Sequence, residues 1–257
     1  MAFGACKFCG EERELVDAHI IPKSFYDFRA RQGPHYIFSA KLNHGPKKAP
    51  VGIYDDHLLC RECEGKFAYL DTYAAQKLKP WPRRPQLIRD ETGFIIKLPD
   101  GSRGGYWLRD INVDRLKLFF CFLVWRCART DREELAIALS DDVIYRVEGA
   151  LKNKDASRAD IHVVGSRYSE RKYTSLFSPW PRSPAIGAPV NFVMYGLHFV
   201  VHFRAPEEVP EIALGASADW PIIFQEFKGT RLHELSMRLV KNSRDPWAGL
   251  RKRGLVA

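Results

Sequence analysis

The sequence predicts an α+β protein in two parts, a small N-terminal unit followed by a larger unit of mixed helix and antiparallel sheet. Three observations lead there. Two Cys-x-x-Cys pairs, Cys6/Cys9 and Cys60/Cys63, bracket the N-terminal segment. A helical stretch that is apolar almost all round, Val113 to Ala128, lies beyond them. After it the apolar period shortens to that of strands, most clearly from Val190 to Phe203.

The elements follow in order. Glu14 to Ile21 reads as a strand, and Pro22 opens a short helix, Ser24 to Arg31. Gly33 to Val51 is a loop with a short strand at His35 to Phe38. Glu62 to Lys79 is an amphipathic helix with Phe67, Leu70, Tyr73 and Leu78 near one face. It ends at Pro80-Trp81-Pro82-Arg83-Arg84-Pro85, where prolines stiffen the chain, so the domains are set at 1–79 and 80–257. A hairpin of Gln86 to Arg89 and Gly93 to Leu98 turns at Asp90-Glu91-Thr92-Gly93. Asn112 or Asp114 caps the apolar helix, whose continuous hydrophobicity marks it as buried and central. Helices at Glu133 to Leu139 and Asp141 to Lys152 follow caps at Asp131 and Ser140. Strands come next at Asp160 to Gly165 and Val190 to Phe203, the latter broken by Gly196 as a turn or a bulge. A last helix, Thr230 to Asn242, leads to the tail Arg251-Lys252-Arg253.

Composition narrows the classes. With 46% hydrophobic and 12% aromatic residues in 257, the chain can build a core, which excludes disordered, collagen-like and coiled-coil proteins. The longest apolar run, Leu118 to Trp125, is too short for a bilayer, and the N-terminus lacks a signal-peptide pattern. A cytoplasmic protein without a membrane partner is therefore expected. In a reducing compartment the six cysteines read as ligands or buried hydrophobes, not disulfides. The net charge of +9 favours polyanionic partners.

Thiolates at i and i+3 on a tight turn can face one ion, and two such pairs complete the closed tetrahedral shell of a structural zinc. Cys6, Cys9, Cys60 and Cys63 fit that pattern. Cys121 and Cys127, on the apolar helix, read as small buried hydrophobes. His198 and His202 share a strand face, as a second metal pair or as two half-buried strand histidines.

The order Cys6-x-x-Cys9, then Ala18-His19-Ile20-Ile21-Pro22, then Leu58-Leu59-Cys60-x-x-Cys63 opening a helix, resembles the zinc-knuckle branch of the HNH (ββα-metal) endonucleases. It is also similar to a group of bacterial proteins with HIIP and LLCxxCE motifs, in which Glu64, Asp71, Tyr73 and the Trp125-Arg126 pair have counterparts. The resemblance covers roughly residues 1 to 75. It implies a small zinc-stabilised ββα-metal N-terminal domain, with His19 as the general base that activates water for attack on a DNA phosphodiester. It implies a catalytic divalent ion, Mg²⁺ or Mn²⁺, beside that base. The sequence departs from the family at the ligands, because Ala18 stands where an Asp or His is usual and Glu64 stands for the closing histidine. Asp17 is a substitute ligand on the face of His19. The central Asn falls around Asp55, Asp56 or His57, so Asp56 or His57 with Glu64 forms the candidate divalent site. Glu64 and Asp71 share a helix face, as an acidic pocket or as a solvated stripe.

Each residue has a plainer role beside the functional one. His19 can fix the turn before Pro22 by bonding a loop carbonyl, and His57 can orient a cysteine sulfur. Backbone phosphates would meet Lys23, Arg29, Arg31, Lys47 and Lys48 near His19 and Arg83 and Arg84 at the boundary. The expected partner is nucleic acid, DNA ahead of RNA, for an endonuclease that the resemblance associates with bacterial anti-phage defence. The alternatives are a catalytically degenerate zinc module that binds nucleic acid or a protein, and a subunit of a larger effector complex or homo-oligomer.

Overall fold

The computed structural model describes residues 2–26, 36–38, 47–49, 51–79, 104–168, 176–181, 188–203, 212–216, 219–225, 229 and 233–234. The hairpin expected at Gln86 to Leu98 and the helix expected at Thr230 to Asn242 fall outside the described residues, apart from 233–234. The described elements form a mixed α+β architecture with two sheets and three α-helices.

The smaller sheet has the order β1-β2-β5, with β1 Phe3–Ala5, β2 Glu12–His19 and β5 Tyr54–Cys60, and both pairings are antiparallel. A register shift between Val16 and Ala18 lets β5 place Asp55, Leu58, Leu59 and Cys60 inward where strict alternation would not. Cys60 closes β5 and Arg61 opens α1, Arg61–Leu78, so the three strands of this sheet are followed directly by a helix. Phe67, Leu70, Ala74 and Leu78 are the buried stripe of α1, close to the face read from periodicity. Of the helix expected at Ser24 to Arg31, residues 27–31 lie outside the described residues; ahead of them the chain makes a 3-10 turn, Lys23–Phe25, which puts Phe25 in the core, and Tyr26 after it is extended.

The larger sheet has eight strands in the order β4-β3-β8-β9-β10-β7-β11-β6. These are β3 Tyr36–Phe38, β4 Lys47–Lys48, β6 Gly105–Leu108, β7 His162–Tyr168, β8 Leu176–Pro181, β9 Val190–Met194, β10 Leu197–His202 and β11 Trp220–Gln225. The sheet is not purely antiparallel as expected, because β3 runs parallel to β8 and β11 parallel to β7. The strands β3 and β4 precede residue 80, so this sheet draws on both sides of the 79/80 boundary. The apolar run Val190 to Phe203 folds back on itself at Tyr195-Gly196, both at positive φ, which makes a hairpin and settles Gly196 as a turn.

Helix α2, Val113–Arg129, lies between the two units and explains its own composition. On one side Phe119 meets Phe25 at 5.7 Å, Phe122 meets Phe67 at 4.4 Å and Trp125 meets Phe8 at 5.3 Å. On another, Phe120 meets Phe199 at 5.0 Å and Trp220 at 6.3 Å from the large sheet. A helix with partners all round has no polar face to spare. Asn112 supplies the N-cap, accepting from the Arg115 N–H. Helix α3, Asp141–Asn153, is capped by Ser140 and packs on α2. No helix forms at Glu133 to Leu139: after one turn the Ile137 N–H bonds back to the Cys127 carbonyl, and Leu135 is buried.

Candidate functional site

The four cysteines come together. Cys6 and Cys9 sit on the turn between β1 and β2, and Cys60 and Cys63 lie at the junction of β5 and α1. The turn is closed by the Gly10 N–H on the Cys6 carbonyl at 2.8 Å, with Gly10 at φ +79°, a region glycine enters without penalty. The four sulfurs lie within 4.8 Å of one another. Sulfurs bound to one zinc at about 2.3 Å would stand about 3.8 Å apart, so the donor set fits such an ion. Burial works to raise the Cys6 thiol, but N–H groups of Cys9, Cys60 and Phe8 on its sulfur outweigh burial and bring it down to about 7. Burial and the neighbouring sulfurs push the Cys63 thiol up. Crowded thiols, three of them buried, are satisfied when a cation replaces their protons. These four residues can hold a metal ion such as zinc. Cys121 and Cys127 are buried in α2 away from that cluster, and burial pushes both thiols up to about 12.

No family model, curated protein or solved structure matches the chain.

His19 is the last residue of β2. The ring, half-buried at the end of β2, places Nε2 2.9 Å from the carbonyl of Val51 in the loop before β5, the loop-carbonyl bond that its plainer role calls for. A carbonyl only accepts, so Nε2 carries the proton and, in the neutral ring, Nδ1 holds the lone pair. Gly52 sits beneath it: a Cβ there would be 3.1 Å from His19 Cδ2 and from the Tyr26 ring. The backbone under His19 is held by Arg126, fully buried, whose Nη1 donates to the His19 carbonyl at 3.0 Å. The same guanidinium makes a two-pronged pair with Asp71, 2.9 Å on each arm. Asp71 is thus neither a pocket acid nor a solvated one. Glu64, one turn ahead of Phe67, has its Oε2 buried without a hydrogen bond among the described residues. Burial raises its pKa; Arg126 opposes this and Asp71 adds to it.

On β5, Asp55 turns inward and accepts from the Thr130 hydroxyl at 2.6 Å, the His57 N–H at 2.9 Å and the Asp131 N–H at 3.0 Å. Burial alone would raise this carboxyl, but those donors and Lys7 hold it below the usual carboxylate range. Asp56 faces out and pairs with Arg132 at 3.1 Å, and His57, 62% exposed, lies 3.9 Å from it. Asp17 is exposed at the register shift. Asp56, His57 and Glu64 do not join His19 or one another in a three-ligand cluster: among the described residues the four cysteines form the only such group. Lys23 is exposed beside the site, while Lys47 and Lys48 are placed at the edge strand β4. Arg29, Arg31, Arg83 and Arg84 lie outside the described residues. His198 bonds Asn191 at 3.0 Å and stacks with Tyr168 and Trp180, as a half-buried strand histidine would.

Sequence reasoning missed the contacts that α2 makes at its C-terminal end. Lys7 reaches the Arg129 carbonyl, Asp55 grips Thr130 and Asp131, Arg126 holds His19, and Arg132 holds Tyr54 and Asp56. One signal was present: a lone arginine inside an apolar helix must find a buried partner. Among the described residues no helix is long and apolar enough to cross a membrane.

Proposed function

We propose that the N-terminal unit of three strands and α1 is an HNH-type nuclease site that hydrolyses DNA phosphodiester bonds, with His19 as general base. The observation that carries this reading is the Nε2–Val51 bond at 2.9 Å on a half-buried ring. It fixes the tautomer and orientation and leaves Nδ1 as the proton acceptor. In the step, a water oxygen bonds to phosphorus as its proton passes to Nδ1, and the ester P–O bond opposite breaks, its oxygen taking a proton from solvent. The Arg126 bond to the His19 carbonyl keeps the end of β2 in place while the ring takes up charge. Zinc on Cys6, Cys9, Cys60 and Cys63 would supply a cross-link and no reactive position, because four sulfurs close its shell. The divalent ion that the resemblance implies has no three-ligand group to hold it among the described residues, so no step is assigned to it.

A degenerate zinc-binding module is the second reading, favoured by that missing ligand group and by Asp56 being tied to Arg132. Plasmid nicking in Mg²⁺ or Mn²⁺ separates the two. His19→Ala is expected to lower the rate by about 10²–10⁴-fold at unchanged zinc content. Equal nicking by both proteins removes His19 from the chemistry, and no nicking by either supports the binding module.

A further inference from the structure

Arg132 stands just past the end of α2, far in sequence from His19, yet the fold delivers it to the same face. His19 and Tyr54 are directly opposite in the β2/β5 register, with ring centroids 6.2 Å apart. The Arg132 guanidinium lies over that same Tyr54 ring, 6.0 Å from its centroid. Tyr54 is thus the floor between an imidazole and a cation.

The guanidinium is aimed, not merely exposed. Its Nε donates to the Tyr54 carbonyl at 3.0 Å and its Nη2 to Asp56 at 3.1 Å. Its backbone is equally fixed: the N–H bonds Thr130 Oγ1 at 3.1 Å, and the carbonyl accepts from Leu135 and Ala136 at 2.9 and 3.0 Å. Thr130 Oγ1 in turn donates to buried Asp55. A guanidinium has five N–H donors in one plane, and two tethers leave both hydrogens of Nη1 and one of Nη2 without a partner among the described residues. Among the described residues, those remaining donors form a fork of the kind that takes two oxygens of one phosphate. With 43% of the side chain exposed, a ligand can reach it. A loose surface arginine would lose rotamer freedom on binding a phosphate, and this one has already lost it.

We propose that Arg132, seated on Tyr54 and tethered by Asp56, is a backbone-phosphate subsite that holds a DNA strand beside His19. This rests on the nuclease reading for what happens next to it, while its own chemistry needs only a phosphodiester. It gives the residues after α2 a binding task and Asp56 the role of an arginine tether.

The test separates the two ideas by measuring binding without cleavage. Full-length protein carrying His19→Ala is titrated into a labelled DNA duplex between 50 and 200 mM salt, with and without Arg132→Gln. Loss of one phosphate contact is expected to reduce the slope of log affinity against log salt by about 0.9, making the affinity drop across that range about 3.5-fold smaller. Lys152→Gln, an equal change of charge on α3, is expected to leave the slope as it was. An unchanged slope in Arg132→Gln, an equal fall in Lys152→Gln, or no duplex binding by the parent protein overturns the subsite. Should Arg132→Gln lower zinc content, Arg132→Lys takes its place: affinity falls with the slope retained, and unchanged affinity overturns the proposal. Wild-type protein that shows the Arg132-dependent slope but nicks nothing fails the nuclease reading and leaves the subsite standing.

Discussion

Replacing Asp71 by alanine is expected to be among the most damaging single changes in the chain. Arg126 is 0% exposed and cannot turn to water, whereas Asp71 is 20% exposed and is the guanidinium's only anionic partner at bonding distance among the described residues. Removing the carboxylate leaves a buried cation with one bond among the described residues, to the His19 carbonyl. Breaking a buried pair from one side costs about 3–5 kcal/mol, because the remaining charge stays desolvated. In a chain of this size that is about 6–20 °C in melting temperature. Arg126→Met is expected to cost less, since the residue left behind can reach solvent and the thioether fills the space. The double variant should then be close to Arg126→Met alone, because Asp71 has little left to stabilise. The assay is urea unfolding followed by circular dichroism at saturating zinc, with all four proteins in one cycle. A loss below about 1 kcal/mol for Asp71→Ala, or additive single effects, would refute the idea that Arg126 is a charged group dependent on this one acid.

Other outcomes follow from the same contacts. Cys60→Ser is expected to lower bound zinc from one ion per chain and to make the N-terminal unit protease-sensitive, because a structural zinc contributes folding free energy directly; mass spectrometry and limited proteolysis read both. Asp55→Asn should destabilise the protein by about 2–3 kcal/mol at pH 7, as charged hydrogen bonds to Thr130, His57 and Asp131 weaken. Because the folded carboxyl lies below its unfolded value, that stability is present above about pH 4 and is lost as pH falls through the folded value. Denaturation curves of the two proteins should therefore converge in acid; a gap independent of pH would contradict the assignment. Gly165→Ala places a Cβ 2.7 Å from Trp220 Cζ2 and is expected to cost about 1–3 kcal/mol through overpacking, with a change in near-ultraviolet circular dichroism.

Much of the fold was legible where local chemistry decides it. Asn112 and Ser140 announce α2 and α3 as caps, and the spacing of Cys6, Cys9, Cys60 and Cys63 announces their convergence. The continuous apolar character of Val113 to Ala128 says that α2 is central without saying what surrounds it. Failures came where long-range pairing overrode local preference. Among the described residues Pro22 leads into a turn of three residues and an extended Tyr26, with Phe25 buried against Phe119. Leu135 and Ile137 follow a plausible cap but fold back onto α2. The parallel pairing of β3 with β8 joins residues about 140 positions apart, which no local period can report. At the site, His19 was visible through its motif, while Arg126 and Arg132 were not assigned roles: both act across more than 50 positions of sequence.

The pairing of β3 with β8 also bears on how this chain can be divided or recombined. A gene fragment ending at residue 79 would strand one edge of β3 and bare Phe8, Phe25 and Phe67, whose companions Trp125, Phe119 and Phe122 come from α2. Grafting the cysteine-bearing unit onto another scaffold would require carrying α2 and the first residues after it as well. Shuffling at the proline-rich stretch, where sequence alone invites a cut, should yield insoluble halves that recover only when both are produced together.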